Sequence, residues 1–319
     1  MRVSVILAAH NAADSLGRAL DSALGQTEPD LQVIVVDDAS TDRTADIAAA
    51  YAARDPRLQL VRARRNLGPG GARNLGLEAA RGDWIAVLDA DDRFSDHRLA
   101  RLQAIGEEIR ADMVADNLLL CPEGHPGHLP MFPPGSLPAH GTIDAVAFVD
   151  SNTARRRSGR RAYGYLKPLI RRSFLTASGL RYDPARFAED YIFYLRCLLH
   201  GARWTVTPET MYEYTVTSHS ATIRHSAEDL VYLIARERAL LDEARPMADP
   251  TLATAMRRHL RSVQRALVWF RFAEAVKERD AVSAGAQLFQ DFGSATHILR
   301  EGLAALPRAV ARLGSTALR

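Results

Sequence analysis

The sequence predicts an α/β fold with a mostly parallel sheet, followed by a helical C-terminal extension. In the first 120 residues, short apolar runs alternate with helical patterns, which is typical of parallel strands joined by right-handed crossover helices. From about Ser226 onward, apolar residues recur only at helical spacing. We therefore expect one α/β domain over residues 1–225, with halves at 1–120 and 121–225, and a helical extension over 226–319.

The first half provides the core of the predicted sheet. Its apolar runs are continuous, as expected for strands that are covered by helices on both faces. The predicted strands are 3–9, 31–36, 58–62, 84–88 and 113–117, and the predicted helices are 13–24, 44–53 and 72–80. In such sheets ligands bind beyond the carboxyl ends of the strands, so the residues that directly follow each strand are the informative ones.

The second half begins with a proline-rich stretch. Residues 121–141 contain six prolines, and because each proline removes a backbone donor and fixes φ, the stretch predicts a long loop or lid. A basic run follows at 155–161. Beyond it the sequence predicts a short apolar segment at 166–170, a helix at 189–199 and strands at 204–206 and 211–215.

The helical extension carries an apolar stripe and an excess of positive charge. Residues 251–319 contain eleven Lys and Arg against five Asp and Glu. The stripe is formed by Leu252, Met256, Leu260, Val263, Leu267 and Phe270. Two uses stay open for these C-terminal helices: packing, on the α/β domain or in a homodimer, and peripheral contact with an anionic membrane. Nucleic-acid binding is disfavoured, because Trp269, Phe270 and Phe272 cluster on one short stretch instead of interleaving with the arginines.

The composition, with 47% hydrophobic and 25% charged residues, is that of an ordinary globular protein. Cys121 and Cys197 are the only cysteines, too few for a disulfide framework or a cysteine zinc site. No apolar run reaches the roughly 18 residues that indicate a transmembrane helix. We therefore expect a cytoplasmic location, with any membrane contact peripheral and on the inner face.

Polar side chains follow three of the predicted strands. His10 and Asn11 follow the first strand, Asp37 and Asp38 follow the second, and residues 89–92 follow the fourth with three carboxylates. Like charges gathered at one sheet edge repel unless a cation or hydrogen-bond donors compensate them. A hard divalent cation that bridges to the diphosphate of a substrate resolves this repulsion.

Asp89 and Asp91 are two residues apart, so an extended backbone sends both carboxylates to the same side. One of them can then bind the metal while the other accepts from a sugar hydroxyl. A simpler alternative stays open for any one acidic segment, because an Asp or Ser after a strand is often a helix N-cap, as Ser40 or Asp42 would be.

A glycine-rich segment at 66–71 precedes the third helix. Its glycines let the backbone approach a ligand closely, and Arg73 in the first helical turn is placed to face a phosphate. The segment does not follow the first strand, so it is not a dinucleotide-binding fingerprint. This position argues against a dehydrogenase.

Together these motifs resemble the catalytic domain of family 2 glycosyltransferases, which have the GT-A fold and act in bacterial polysaccharide and glycoconjugate biosynthesis. The matching segments are 3–7 leading to Asn11, 35–42, Asn74, 82–85 and 88–92. The resemblance makes 1–120 the nucleotide-sugar half and 121–225 the acceptor half. The donor-binding residues that it implies are Ala8, His10, Asn11, Asp38, Arg73, Asp89 and Ala90.

The resemblance also implies individual roles. Asp38 recognises the nucleotide base, usually uracil, Asp89 lies near the ribose or sugar, and Asp91 coordinates Mn²⁺ or Mg²⁺ at the diphosphate. The family places its catalytic base in a Glu-Asp pair at a helix start, and Asp190 is the matching position. Acidic residues in a first helical turn are also favoured by the helix dipole alone, which is the plainer explanation of this pair.

Two features depart from the family pattern. Ala8 and His10 stand where the family usually has proline and tyrosine, although His10 keeps a ring that can stack on a base. Some GT-A enzymes have a metal-binding histidine after the base, and His219 is the candidate here. A single histidine is more often a surface or core residue.

The predicted function is a metal-dependent inverting glycosyltransferase of the hexosyltransferase type. It would move a sugar from a nucleoside-diphosphate sugar, with UDP favoured, to a hydroxyl of a saccharide or lipid-linked acceptor. One alternative is a nucleotidyltransferase acting on sugar phosphates, whose glycine-rich loop normally follows the first strand. Another is a non-enzymatic nucleotide- or metal-binding module, whose paired acids would follow the first strand.

Overall fold

The computed structural model describes residues 2–123, 127–137, 141–153, 161–216, 226–278 and 280. Three predicted features lie wholly or mainly outside these residues: His219, most of the basic run at 155–161, and the part of the extension after residue 280.

A mixed sheet lies at the centre of the described chain. Its strands are β1 (Val3–Ala9), β2 (Leu31–Asp37), β3 (Leu58–Arg62), β4 (Trp84–Val87), β5 (Arg93–Phe94), β6 (Met113–Pro122), β7 (Leu129–Pro130), β8 (Gly141–Ile143), β9 (Leu169–Arg171) and β10 (Trp204–Val216). Their order is β3-β2-β1-β4-β9-β6-β10-β5, with β7 beside β6 and β8 beside β10. The pairings of β1 with β2 and β4, β2 with β3, and β6 with β10 are parallel, while each antiparallel pairing spans only two or three residues. The predicted α/β fold is confirmed.

Helices cover this sheet. They are α1 (Leu16–Leu24), α2 (Thr44–Ala52), α3 (Gly68–Ala79), α4 (Arg98–Glu108), α5 (Ala145–Asn152), α6 (Arg172–Ser178), α7 (Glu189–Leu199), α8 (Ala227–Ala244) and α9 (Pro250–Lys277), with 3₁₀ turns at Tyr163–Tyr165 and Arg245–Met247. The sequence analysis did not predict α4, α5 or α6. It also predicted two strands, at 204–206 and 211–215, where the single strand β10 runs on across an irregularity in its pairing with β6.

The glycine-rich segment is the start of α3 and not a loop before it. The Asp38 carboxylate accepts hydrogen bonds from the backbone N–H groups of Leu67, at 2.7 Å, and Gly68, at 2.9 Å. These bonds satisfy donors that a helix start leaves unpaired, so α3 begins at Gly68 instead of at the predicted residue 72.

The proline-rich stretch packs on the sheet in its described part. β7 pairs with the end of β6, and the Asn117 side chain exchanges hydrogen bonds of 2.8 and 3.0 Å with the backbone of Phe132. Met131, Phe132 and Leu137 are buried. The described part of the stretch is therefore the predicted long loop, and it packs on the sheet.

The helical extension packs on the α/β domain. α9 lies against α8 and α5, and Leu252, Met256 and Val263 of the predicted stripe are buried. The stripe is thus used for packing within the chain, while dimerisation and membrane contact stay predictions. Among the described helices, none is both long enough and apolar enough to cross a bilayer.

A fully buried ion pair joins the elements below the candidate site. Arg98 on α4 contacts Asp116 on β6, with Nη2 2.7 Å from Oδ1, and donates a second hydrogen bond of 2.5 Å to the carbonyl of Lys167. The other oxygen of Asp116 accepts from the N–H of Met211 on β10, at 3.0 Å. The backbone at Lys167 is therefore fixed from the core.

Replacing Arg98 by Met is expected to lower the free energy of unfolding by about 3–5 kcal/mol, because it leaves Asp116 buried without its counter-ion. Urea unfolding followed by circular dichroism measures this loss. The control is Arg101→Met on the same helix, α4. It removes an exposed ion pair with Glu209 and should leave the urea midpoint unchanged. Equal midpoints for the two variants would contradict the stabilising role of the buried pair.

Candidate active site

Five charged side chains meet beyond the carboxyl end of β4. Arg73 on α3 bridges two carboxylates, with Nη2 2.8 Å from Asp89 Oδ1 and Nη1 2.9 Å from Asp190 Oδ1. Lys167 bridges the same two, with Nζ 2.8 Å from Asp89 Oδ2 and 2.7 Å from Asp190 Oδ2. These four residues form a closed ring of alternating charges, which we call the charge ring. Glu189 joins it through a 2.8 Å contact with Arg73 Nη1.

The opposite charges of the ring favour the ionised forms of Asp89 and Lys167. Burial opposes ionisation of Asp89, but the charges of Lys167 and Arg73 outweigh it and hold the pKa of that carboxyl well below its ordinary value. Burial likewise disfavours charged Lys167, yet Asp190 and Asp89 raise the pKa of its ammonium. Glu189 differs, because burial and then the charge of Asp190 raise its pKa.

Helix α3 brings the start of α7 to the ring. The Asn74 side chain exchanges two 2.9 Å hydrogen bonds with the backbone of Tyr182. A Cβ on Gly70 would come within 2.2 Å of the Asp183 carbonyl oxygen, so only glycine lets α3 approach this segment so closely. Residues 182–188 then lead into α7, whose first two residues are Glu189 and Asp190.

The carboxylates after β4 have different surroundings. Asp92 is buried and accepts from the Tyr212 hydroxyl, at 2.7 Å, and from the Thr215 N–H, at 2.8 Å, so it holds the end of β10. Asp91 keeps an accessible side chain, and no ion pair reaches it from the described residues. The protein packed around it and the charge of Asp89 raise the pKa of the Asp91 carboxyl. A cation near Asp91 would relieve this repulsion.

A preformed metal cage is absent from the described residues, where no three His, Cys, Asp or Glu side chains converge as ligands. Asp91 alone still fits a divalent cation, because Mg²⁺ is commonly bound through one or two protein carboxylates together with substrate phosphates. The donor set is thus compatible with a metal that arrives with its diphosphate.

A hollow of about 260 Å³ lies at the ends of β1 and β2. Ala8, His10 and Asp38 line it, together with Gly68 from the start of α3. The His10 ring nitrogen Nδ1 lies 2.9 Å from the Asp38 carbonyl oxygen, which orients the ring. Each Asp38 carboxylate oxygen already accepts one backbone N–H and retains a further lone pair for a ligand.

A second cavity, of about 530 Å³, lies over the charge ring. Pro69 and Arg186 line both this cavity and the hollow, so the two spaces adjoin. Its other walls include aromatic side chains and residues of the two C-terminal helices: Tyr165, Phe187, Tyr191, Tyr214, Leu230, Leu233, His259, Ser262, Val263 and Ala266.

The chain is similar to known proteins in sequence and in fold. Residues 4–126 match the model of the family described as Glycosyl transferase family 2. The succinoglycan biosynthesis protein ExoO of Rhizobium meliloti (strain 1021) is 36% identical over 313 residues, 97% of this chain and 87% of ExoO. The chain belongs to glycosyl transferase family 2. The succinoglycan biosynthesis protein ExoU of the same organism is 38% identical over 267 residues, 82% of this glycosyltransferase and 75% of ExoU.

Solved structures show the fold of this glycosyltransferase. The S. aureus TarS 1-349 chain, solved in complex with UDP-GlcNAc, superposes with a TM-score of 0.61 over 89% of each chain, at 17% identity. The mannosyltransferase PcManGT of Pyrobaculum calidifontis, solved with GDP-Man and Mn²⁺, gives 0.54 over 96% of this chain and 80% of its own, at 19% identity. The GT-A fold is confirmed, and family membership removes the nucleotidyltransferase and non-enzymatic alternatives.

The structure brings most of the predicted site residues together. Arg73, Asp89, Asp91 and Asp190 line the large cavity, and Ala8, His10 and Asp38 line the adjoining hollow. Ala90 lies between the two carboxylates after β4, half-buried against the core. His219 lies outside the described residues.

Two predicted residues have contacts that the sequence did not suggest. The Arg73 guanidinium contacts three carboxylates, where a phosphate had been expected. Asn11 is exposed with φ at 50°, and its side-chain oxygen accepts from the Thr41 N–H at 2.8 Å, so it holds the turn after β2. Their roles toward a donor stay predictions.

Lys167 was missed by the sequence analysis. It lies in a short apolar segment that was assigned only as structure. One signal was available, because Lys167 is one of only two lysines in a chain with 41 Lys and Arg. A lysine within an apolar segment of so arginine-rich a chain indicates a need for a compact point charge.

Proposed function

We propose that this enzyme is a metal-dependent, inverting glycosyltransferase that uses a nucleoside-diphosphate sugar, with UDP favoured, and a hydroxyl of a saccharide or lipid-linked acceptor. One observation carries the proposal: the Asp190 carboxylate lies on a large cavity that adjoins a separate hollow lined by His10 and Asp38. The names of ExoO and ExoU support a role in bacterial polysaccharide biosynthesis. The cytoplasmic location predicted from the sequence belongs to the same proposal.

The donor lies across the two spaces. Its base occupies the hollow against His10 and Asp38, and its diphosphate reaches the accessible Asp91 carboxylate. The sugar then lies beside Asp89, within the large cavity. This arrangement leaves the rest of that cavity for the acceptor.

Asp190 acts as the general base. It takes the proton of the acceptor hydroxyl as the oxygen forms a bond to the anomeric carbon and the bond to the diphosphate breaks. A single displacement from the face opposite the leaving group inverts the anomeric centre. The charge ring fixes the Asp190 carboxylate in position, because two cations hold its two oxygens.

Asp91, with the donor diphosphate, would hold a divalent cation, and His219 is proposed as a further ligand. When bound, such a cation neutralises charge that develops on the leaving group. Arg73 and Lys167 lie close enough to the same region to add positive potential to it.

A screen of UDP-, GDP- and dTDP-sugars by thermal shift, with and without Mn²⁺, tests the proposal. We expect stabilisation by a UDP-sugar that depends on Mn²⁺ and weakens as pH falls, since Asp91 has a raised pKa and must lose its proton to bind a cation. Asp91→Asn should lower the UDP-sugar affinity about tenfold with Mn²⁺ and leave it unchanged without Mn²⁺. Asp96→Asn, an exposed carboxylate in the same connection, is the matched control. If a UDP-sugar stabilises the protein equally with and without Mn²⁺, the metal assignment is wrong. If none of the nucleotide sugars stabilises it, the proposed function is wrong.

A further inference from the structure

The two C-terminal helices form part of the cavity that contains the proposed base. The sequence assigned these helices to an extension outside the α/β domain, yet they line the same space as Asp190. Their contributions are Leu230 and Leu233 of α8, and His259, Ser262, Val263 and Ala266 of α9. Any ligand that fills this cavity therefore contacts the extension.

His259 is the one ionisable residue of this wall in the described part of the chain. Its Nδ1 lies 3.0 Å from Oε1 of Glu237, which is fully buried, and 3.2 Å from the Tyr191 hydroxyl. The His259 ring also stacks on the Tyr191 ring, with the two centroids 4.6 Å apart. Since Tyr191 follows Asp190 on α7, the imidazole is tied to the helix that carries the proposed base.

The surroundings of His259 leave one ring nitrogen for a ligand. Nδ1 is hydrogen-bonded to the Tyr191 hydroxyl and also lies beside the Glu237 carboxyl, so Nε2 is the ring nitrogen that can bind a ligand hydroxyl, as donor or as acceptor according to the tautomer. No hydrogen bond from the described residues reaches Nε2, although His259 is only 5% exposed and lines the cavity. The stacked Tyr191 ring and the hydrogen bond with its hydroxyl hold the imidazole in one orientation.

The chemistry of the cavity favours a sugar ring over an alkyl chain. A pyranose has C–H faces that pack on aromatic and aliphatic side chains, and hydroxyls at its edge that need hydrogen bonds. The cavity offers both, with the rings of Tyr165 and Tyr214 6.5 Å apart and polar groups on Asn152, Ser262 and His259. An alkyl chain would strip water from these polar groups without replacing their hydrogen bonds.

We propose that α8 and α9 complete the acceptor subsite, and that His259, held by Tyr191, binds a hydroxyl of the acceptor pyranose through Nε2. This inference rests on the proposed function, because it takes the adjoining hollow to be filled by the nucleotide. It makes the extension a determinant of acceptor choice, with Ala266 and Val263 setting the width of the subsite.

Saturation-transfer NMR on the full chain tests this with UDP, MgCl₂ and a set of methyl β-glycosides of glucose, galactose and mannose. We expect signals from the pyranose protons of at least one glycoside. Ala266→Phe, which fills the cavity, should lower the affinity for that glycoside at least tenfold. His259→Leu should lower the affinity about fivefold, as expected for the loss of one hydrogen bond. His259→Gln, which keeps a polar group near the position of Nε2, should restore most of the affinity. Arg261→Phe, on the exposed face of α9, is the control.

Signals from UDP in the same spectra separate the two proposals. If UDP gives signals and none of the methyl glycosides does, the acceptor subsite is wrong and the proposed function is unaffected. Octyl β-D-glucopyranoside is a further probe. If only its alkyl protons give signals, the cavity binds a lipid chain and the proposed acceptor subsite is wrong. If Ala266→Phe lowers the affinity for UDP as much as the affinity for the glycoside, the residues of α8 and α9 contact the donor and not the acceptor. If the protein binds neither UDP nor GDP, the proposed function is wrong, and so is the acceptor subsite that depends on it.

Discussion

Replacing Asp190 by Asn is expected to lower kcat for sugar transfer by about 10²–10⁴-fold, the usual contribution of a positioned general base. Asn has nearly the same shape and still accepts a hydrogen bond, but it cannot take the proton of the acceptor hydroxyl. Donor binding should change little, because Arg73 and Lys167 keep their contacts with Asp89. Initial rates at saturating donor, with the donor Kd measured by calorimetry, separate the two effects.

Glu189→Gln is the matched control for the Asp190 variant. Glu189 is the neighbouring residue and contacts the same guanidinium, at 2.8 Å from Arg73 Nη1. Burial and the charge of Asp190 raise the pKa of Glu189, so it is the rival candidate for proton transfer in this site. We expect less than a tenfold loss of kcat for Glu189→Gln. A large loss there, with near-normal transfer by Asp190→Asn, would move the base to Glu189.

The sequence predicted the part of the site that follows from local pattern. Residues directly after β1, β2 and β4 were identified because parallel strands bring their carboxyl ends to one edge, and the structure places His10 and Asp38 around one hollow as that rule requires. Asp190 was identified from a Glu-Asp pair in the first turn of α7. These inferences needed only strand periodicity and one resemblance.

The parts that were missed depend on contacts between segments far apart in the chain. Lys167 is 78 positions after Asp89 and meets it only because β9 lies between β4 and β6, and because Arg98 holds the Lys167 carbonyl from below. The antiparallel insertion of β9 has no local signal. The same holds for the extension, where periodicity showed that α9 packs on something but not that His259 turns toward the site.

Lys167→Met is expected to lower kcat about 10²-fold, the cost of a catalytic group that is misplaced by roughly 1 Å. The ammonium holds one oxygen of Asp190 at 2.7 Å and one of Asp89 at 2.8 Å, and without it the two carboxylates share only Arg73. The free energy of unfolding should fall by about 3–5 kcal/mol, as when one partner of a buried ion pair is removed.

A pH profile distinguishes positioning by Lys167 from a merely structural role. The depressed pKa of Asp89 stabilises the folded state above the unfolded-state pKa, and that contribution is lost as pH falls through the folded-state pKa. Removing Lys167 raises the folded-state pKa of Asp89, so acid unfolding, and the loss of kcat that follows protonation of Asp89 beside the donor sugar, should both move to higher pH in Lys167→Met.

Two controls complete the Lys167 test. Lys167→Arg retains the charge and should keep the acid limb of kcat near its wild-type position even if its larger head group lowers the rate. Lys277→Met removes the only other lysine, exposed at the end of α9, and should change neither property. If Lys167→Met lowers stability while the acid limb of kcat stays in place, Lys167 serves the fold alone and does not act on catalysis through the charge ring.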